Sequence, residues 1–293
     1  MDEPKRKRRF GDRKEGRRLR SLDPLYAFTP FIMKTRGDAT NYFSASVELD
    51  AVEKYIRKKR DEGLKGFGML HIFIAGYVRC VSQYPAVNRF VSGKRIYARN
   101  NIEVVMTVKK RMSTTAGETE VKVIFKPTDT INTVYERVNE AIEKIKSEED
   151  SSTDKVAAAL MKLPRPLLSA AVRFFGWLDY HGWLPSSLIN ASPFHGSMVI
   201  TDLGSLGIPP IYHHLYNFGN VPVFIAFGAK RKVVELKKNG TPVEKKYIDY
   251  TVSTDERICD GYYYAVAFKH FNYILRNPEL LETPPEYVVE DVD

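Results

Sequence analysis

Asp255-Glu256-Arg257-Ile258-Cys259-Asp260-Gly261 is the stretch on which the fold of this chain turns. It stands between a run of strand formers, Tyr250 to Ser253, and a helical segment from Gly261 to Leu275 that Asn277-Pro278 stops. Working back from it, Lys232 to Tyr247 reads as a hairpin turning at Asn239-Gly240, and Val223 to Phe227 as a short strand. A second stretch, Phe194-His195-Gly196-Ser197-Met198-Val199-Ile200-Thr201-Asp202-Leu203-Gly204, holds another strand from Ser197 to Thr201.

Nearer the N-terminus, Tyr42 to Leu49 alternates as a strand does, and Asp50 then opens a helix that Gly63 ends. Met69 to Gln83 is an apolar helix, followed by the turn Tyr84-Pro85-Ala86-Val87-Asn88. Lys94 to Ala98, Ile102 to Val108 and Glu120 to Phe125 read as strands, and Ile131 to Lys146 as a helix. Strands dominate, with helices placed among them and not in strict alternation. That pattern predicts an α/β protein, a mixed sheet flanked by helices.

The chain has 293 residues, enough to bury a sizeable core, and its 43% hydrophobic content is that of an ordinary globular protein. Cys80 and Cys259 lie far apart and offer neither a disulfide framework nor a metal site. No apolar run approaches the roughly 20 residues of a membrane span, and no signal-peptide pattern is present. The expectation is a cytoplasmic, soluble protein.

The net charge of +9 is concentrated at one end. Residues 1–20 carry ten Lys/Arg against four Asp/Glu, a net of +6. Such a run is expected as a flexible tail, with contact to a membrane or other anionic surface as its sharper reading. No stripe of basic and aromatic residues marks specific nucleic-acid binding. The domain proper then spans 21–278, and 279–293 is an acidic C-terminal tail.

Residues 153–189 are an apolar helical insertion holding both tryptophans, Trp177 and Trp183, with prolines at 164, 166 and 185. Amphipathic helices covering a core or an oligomer contact are expected here. Lining a pocket for an acyl group, or lying on a membrane surface, are the other readings.

Read together, these stretches resemble the chloramphenicol acetyltransferases and the catalytic domains of the 2-oxoacid dehydrogenase acyltransferases. Tyr84 to Asn88 resembles the family's turn before its first hairpin, and Ser192-Pro193-Phe194 its Ser-Pro-Trp. Met198 to Gly204 with Gly207 resembles the strand that carries the family's oxyanion donor, and Val221 to Gly228 the strand that follows. Asp255 to Gly261 stands where the family has His-x-x-x-Asp-Gly. The match covers roughly residues 22–276, without the lipoyl and subunit-binding domains of the dehydrogenase enzymes. The resemblance implies a two-layer α/β sandwich assembled as a homotrimer. It also implies active-site channels between subunits, with coenzyme A or acyl-coenzyme A as substrate and no covalent cofactor.

Acyl transfer from a thioester needs a base, an oxyanion donor and something to orient the base. On the resemblance, Thr201 is the donor and Asp260 the residue that shapes the catalytic loop by holding an arginine, Arg20 or Arg36. The family's histidine position is Glu256. A thiol at about 8.5 and a glutamate at about 4.3 differ by about 4 pH units, so the proton moves roughly 5.7 kcal/mol uphill. Burial raises a carboxyl by about 3–5 units and would close that gap. His213, His214 and His195 are the alternative bases. The acceptor is a small molecule or a protein not specified by the sequence. The alternative function is an inactive trimer that keeps the fold as a binding, regulatory or scaffold module.

Overall fold

The computed structural model describes residues 7–109, 118–147 and 160–293. Its described elements run β1 (Gly16–Arg18), α1 (Pro24–Ile32), β2 (Thr40–Glu48), α2 (Asp50–Asp61), α3 (Met69–Gln83), β3 (Arg89–Ser92), β4 (Arg95–Arg99), β5 (Ile102–Lys109) and β6 (Glu118–Phe125). They continue with α4 (Ile131–Ser147), α5 (Arg165–His181), α6 (Ser186–Ala191), β7 (Met198–Asp202), β8 (Val223–Leu236), β9 (Pro242–Asp255) and α7 (Gly261–Arg276).

Six strands form one mixed sheet in the order β2-β9-β8-β7-β5-β6, in which β7 pairs parallel with both β5 and β8. Alternation sends Val104, Met106, Met198, Ile200, Ile225 and Phe227 to one face, which the helices cover. Helix α3 lies deepest: Phe73 stacks on Phe227 with ring centroids 4.7 Å apart and meets Phe271 of α7 at 6.0 Å. A smaller antiparallel sheet, β1-β4-β3, stands apart from the main one.

The expected strands Val223–Phe227 and Tyr250–Ser253 and the hairpin between them are in fact two continuous strands of 14 residues, β8 and β9. Gly228 looks like a strand end but is a bulge, where the register shifts between Phe227 and Lys230. A Cβ there would come within 2.4 Å of Pro210, so only glycine lets that loop lie down on the sheet. Helix α1, missed in the sequence reading, is signalled by Asp23-Pro24: the Asp23 side chain accepts from the Leu25 N–H and proline fills the first helical turn.

Neither residues 9–20 nor the C-terminal end is loose. Strand β1 pairs with β4, and Arg13 and Glu15 are buried. Arg9 and Arg17 approach Asp293 at 2.8 and 3.8 Å, and the Arg20 N–H donates to the Asp293 carbonyl at 2.8 Å. Arg89 holds Asp291, and the Val289 N–H reaches Ser82 at 2.8 Å. The expected flexible basic tail is therefore docked over residues 9–20, and the acidic end with it. Their opposite charges pair with one another, which a reading of each terminus alone misses.

His71 of α3 is buried and stacks on Phe67 at 5.4 Å, with its Nδ1 accepting from the Gly68 N–H at 3.2 Å. Burial pushes its pKa down to about 4. An unfolded histidine takes its proton near 6.5, so between those values the unfolded state binds more protons. Stability is complete above about pH 6.5 and falls by on the order of 3 kcal/mol as pH drops through about 4. Thermal melts across that window will show the slope, and His71→Leu will flatten it while lowering stability throughout by unpairing Gly68.

Candidate functional site

The face of the sheet opposite the helices carries Thr201, with His213 laid over its neighbour Phe224. Val199 and Thr201 of β7 point to it, Thr201 half-buried, beside Phe224 and Ala226 of β8 in the same register. Val105, Val199, Leu215, Val221 and Phe224 form a small second core there. The loop from Ile208 to Asn220 is laid over this face. The Thr251 hydroxyl donates to the Ile211 carbonyl at 2.6 Å, and the Ser253 hydroxyl donates to the carbonyl of His213.

That loop brings His213 flat onto Phe224, the ring centroids 4.2 Å apart and the planes 5° from parallel. Burial first, then the neighbouring His214, lowers its pKa, so the ring is neutral at pH 7. Its Nε2 is buried without a hydrogen-bond partner. His214 is exposed and meets the Tyr216 ring edge-on at 5.2 Å.

Glu256 lies elsewhere. Thr201 pairs across β8 with Thr251 of β9, and Glu256 follows five residues further on. That is roughly 16 Å along the strand and about 9.5 Å across two strand spacings. Its side chain is exposed, and its N–H donates to the Ala39 carbonyl at 2.8 Å. One chain does not bring Glu256 and Thr201 together.

Flanking Glu256 is a buried ion cluster that the sequence reading passed over. Asp255 takes Arg257 bidentately, Nε to Oδ1 at 2.8 Å and Nη2 to Oδ2 at 2.7 Å, with the Arg36 Nε 3.4 Å from Oδ2. Arg36 also donates to the carbonyls of Tyr216 and Gly219, so the same cation fixes the end of the loop over the sheet. Burial lowers the Arg36 guanidinium to about 10, which leaves it charged. A two-residue Asp-x-Arg spacing at a strand end was the available signal.

Asp260 caps α7: its carboxylate accepts from the Tyr263 N–H at 2.8 Å and from the Tyr26 hydroxyl, and these bonds hold it below the usual carboxylate range. It holds neither expected arginine, because Arg36 goes to Asp255 and Arg20 to Asp12 at 3.0 Å.

No protein-family sequence model and no curated protein matches the chain. Solved structures do. The dihydrolipoamide acetyltransferase of Azotobacter vinelandii, in whose catalytic mechanism the role of a serine, a histidine and an asparagine has been investigated, superposes with a TM-score of 0.59 at 11% identity, covering 93% of this chain and 95% of that one. The cubic core of a pyruvate dehydrogenase multienzyme complex gives 0.52 at 11% identity over 93% and 95% of the two chains. A chloramphenicol acetyltransferase gives 0.51 at 10% identity over 87% and 96%. The fold is chloramphenicol acetyltransferase-like.

His195, the third histidine named from the sequence, lies inside the fold. It is fully buried before β7, its Nδ1 2.8 Å from the Ser192 hydroxyl and its Nε2 3.4 Å from Asp179 of α5. It ties α5 to the central strand. An apolar cleft of about 190 Å³ opens beside it, between Phe175, Leu184, Leu188 and Phe218. Among the described residues no helix is long and apolar enough to cross a membrane.

Proposed function

We propose that the protein transfers an acyl group from coenzyme A thioesters, at a site completed between two copies of the chain. The carrying observation is the separation of Thr201 from Glu256 on a fold whose neighbours include an assembled multienzyme core. Thr201 of one copy is the oxyanion donor and Glu256 of a neighbour the base; a trimer is the assembly that the resemblance implies. Glu256 takes the proton of the acceptor's thiol or hydroxyl, the acceptor attacks the thioester carbonyl, and the Thr201 hydroxyl donates to the oxyanion. Collapse expels the coenzyme A thiolate, which takes the proton back.

Exposure of Glu256 in the single chain fits this scheme only if a neighbour encloses it, because a carboxylate in water is too weak a base for a thiol. Calorimetric titration of coenzyme A and acetyl-coenzyme A tests the reading. Micromolar binding by the assembled protein is expected, and a stable monomer in sedimentation would remove the interface site. The second reading, a non-catalytic module of the same fold, draws on Asp260: helix capping needs no chemistry to persist. Acyl transfer above the level of a Thr201→Ala control decides against it.

A further inference from the structure

Helix α5 gives the fold one buried side chain out of 17, the polar Asp179. Most of the rest of its length is apolar and at least partly open, interrupted by the exposed Arg165 and Arg173. Leu167, Val172, Phe174 and Trp177 are exposed, as is Trp183 just beyond, which at 60% is the most open of these. Phe174 stacks on Trp177 at 6.1 Å and Trp177 meets Trp183 edge-on at 5.2 Å, so the rings form one preformed cluster. Helix α1 adds a second uncharged face with Leu25, Phe28, Phe31 and Ile32 exposed. The two helices border one cleft of about 230 Å³, walled also by Lys34 and Lys94. A patch of this kind marks an interaction surface.

Charge identifies the occupant. From residue 160 to 197 the acidic residue is Asp179 alone, and it is buried, while Lys162, Arg165 and Arg173 are exposed. Arg13 and Lys14 fasten the basic N-terminal segment to the end of this region, at the Tyr180 and Leu184 carbonyls (2.7 and 3.2 Å), which leaves Lys7 and Arg8 exposed on the same segment, with Arg9 held by Asp293. A second copy laid on this face would set like charges against each other. An anionic bilayer offers the opposite: headgroups for the cations and an interface in which tryptophan rings settle.

We propose that α1 and α5, with the basic N-terminal segment, dock the protein on anionic lipid surfaces. The helix lies in the interface and does not span it. This does not depend on the acyl-transfer reading.

The chain's two tryptophans both lie in the patch, so its intrinsic fluorescence reports the contact directly. With the full chain and vesicles of phosphatidylcholine containing phosphatidylserine, we expect co-sedimentation, a blue shift, and quenching by brominated acyl chains. Pure phosphatidylcholine vesicles, or high salt, should weaken binding by about tenfold or more. Arg165→Glu with Arg173→Glu, two exposed positions, should do the same with folding intact. Trp177→Glu should abolish quenching of the remaining tryptophan. No quenching with anionic vesicles overturns the proposal. So does a Trp177→Glu change that disperses an oligomer and leaves vesicle binding untouched, which would assign the face to protein contact.

Discussion

On the proposed mechanism, Glu256→Gln is expected to lower acyl transfer from acetyl-coenzyme A by a factor of about 10²–10⁴, the usual contribution of a positioned general base. The substitution keeps the side chain's size and removes its ability to accept a proton. Glu256 is exposed and its backbone bond to Ala39 is independent of the side chain, so stability should change by less than about 0.5 kcal/mol. Release of free thiol, followed with a panel of thiol and hydroxyl acceptors, measures the effect. His213→Gln is the informative comparison. His213 is neutral, has a free ring nitrogen, and shares the face of the sheet with Thr201. A loss that follows His213 and spares Glu256 would place the whole site within one chain and remove the need for a neighbour. Glu256→His should retain activity, since imidazole stands about 2 pH units closer to a thiol than a carboxylate does.

Much of this fold is legible from local signals. The strand alternation of Ser197 to Thr201, the turn at Asn239-Gly240 and the proline stop after α7 are each set by residues within a few positions of one another. The order of motifs from Tyr84 to Gly261 then points to the acyltransferase fold that the solved structures share. What escaped depends on distant partners. Asp255 finds Arg36 more than 200 positions away in sequence, and Arg17 finds Asp293 at the opposite terminus. No periodicity encodes such pairs; charge complementarity on a folded surface does. The site suffered similarly. Motif position marked Thr201 and Glu256, but their separation is a matter of strand register across β7, β8 and β9. The stretch expected as a helical insertion holds helices α5 and α6 from Arg165 onward, and its segment 153–159 lies outside the described residues.

The largest effect on stability is expected at Asp255, the residue just before the position of the family's histidine. Asp255→Asn leaves Arg257 and Arg36 charged and buried with no anion between them. Breaking one side of a buried pair costs about 3–5 kcal/mol. For a chain of this size each kcal/mol moves the melting temperature by about 2–4 °C, so a fall of roughly 6–20 °C is expected in a thermal melt. The damage should extend to function, because Arg36 also carries the Tyr216 and Gly219 carbonyls that end the loop over Thr201. Asp255→Asn combined with Arg257→Met should melt higher than the sum of the two single losses predicts. The double change removes a stranded charge as well as its partner, and such coupling is what separates an ion cluster from two independent contacts. Asp260→Asn is the control: asparagine caps a helix about as well as aspartate, so that change should cost under about 1 kcal/mol. A greater loss at 260 than at 255 would return the loop's anchorage to Asp260. The expected order, 255 far above 260, makes the buried Asp255–Arg257–Arg36 cluster the element that holds Glu256 and the Thr201 loop in fixed relation.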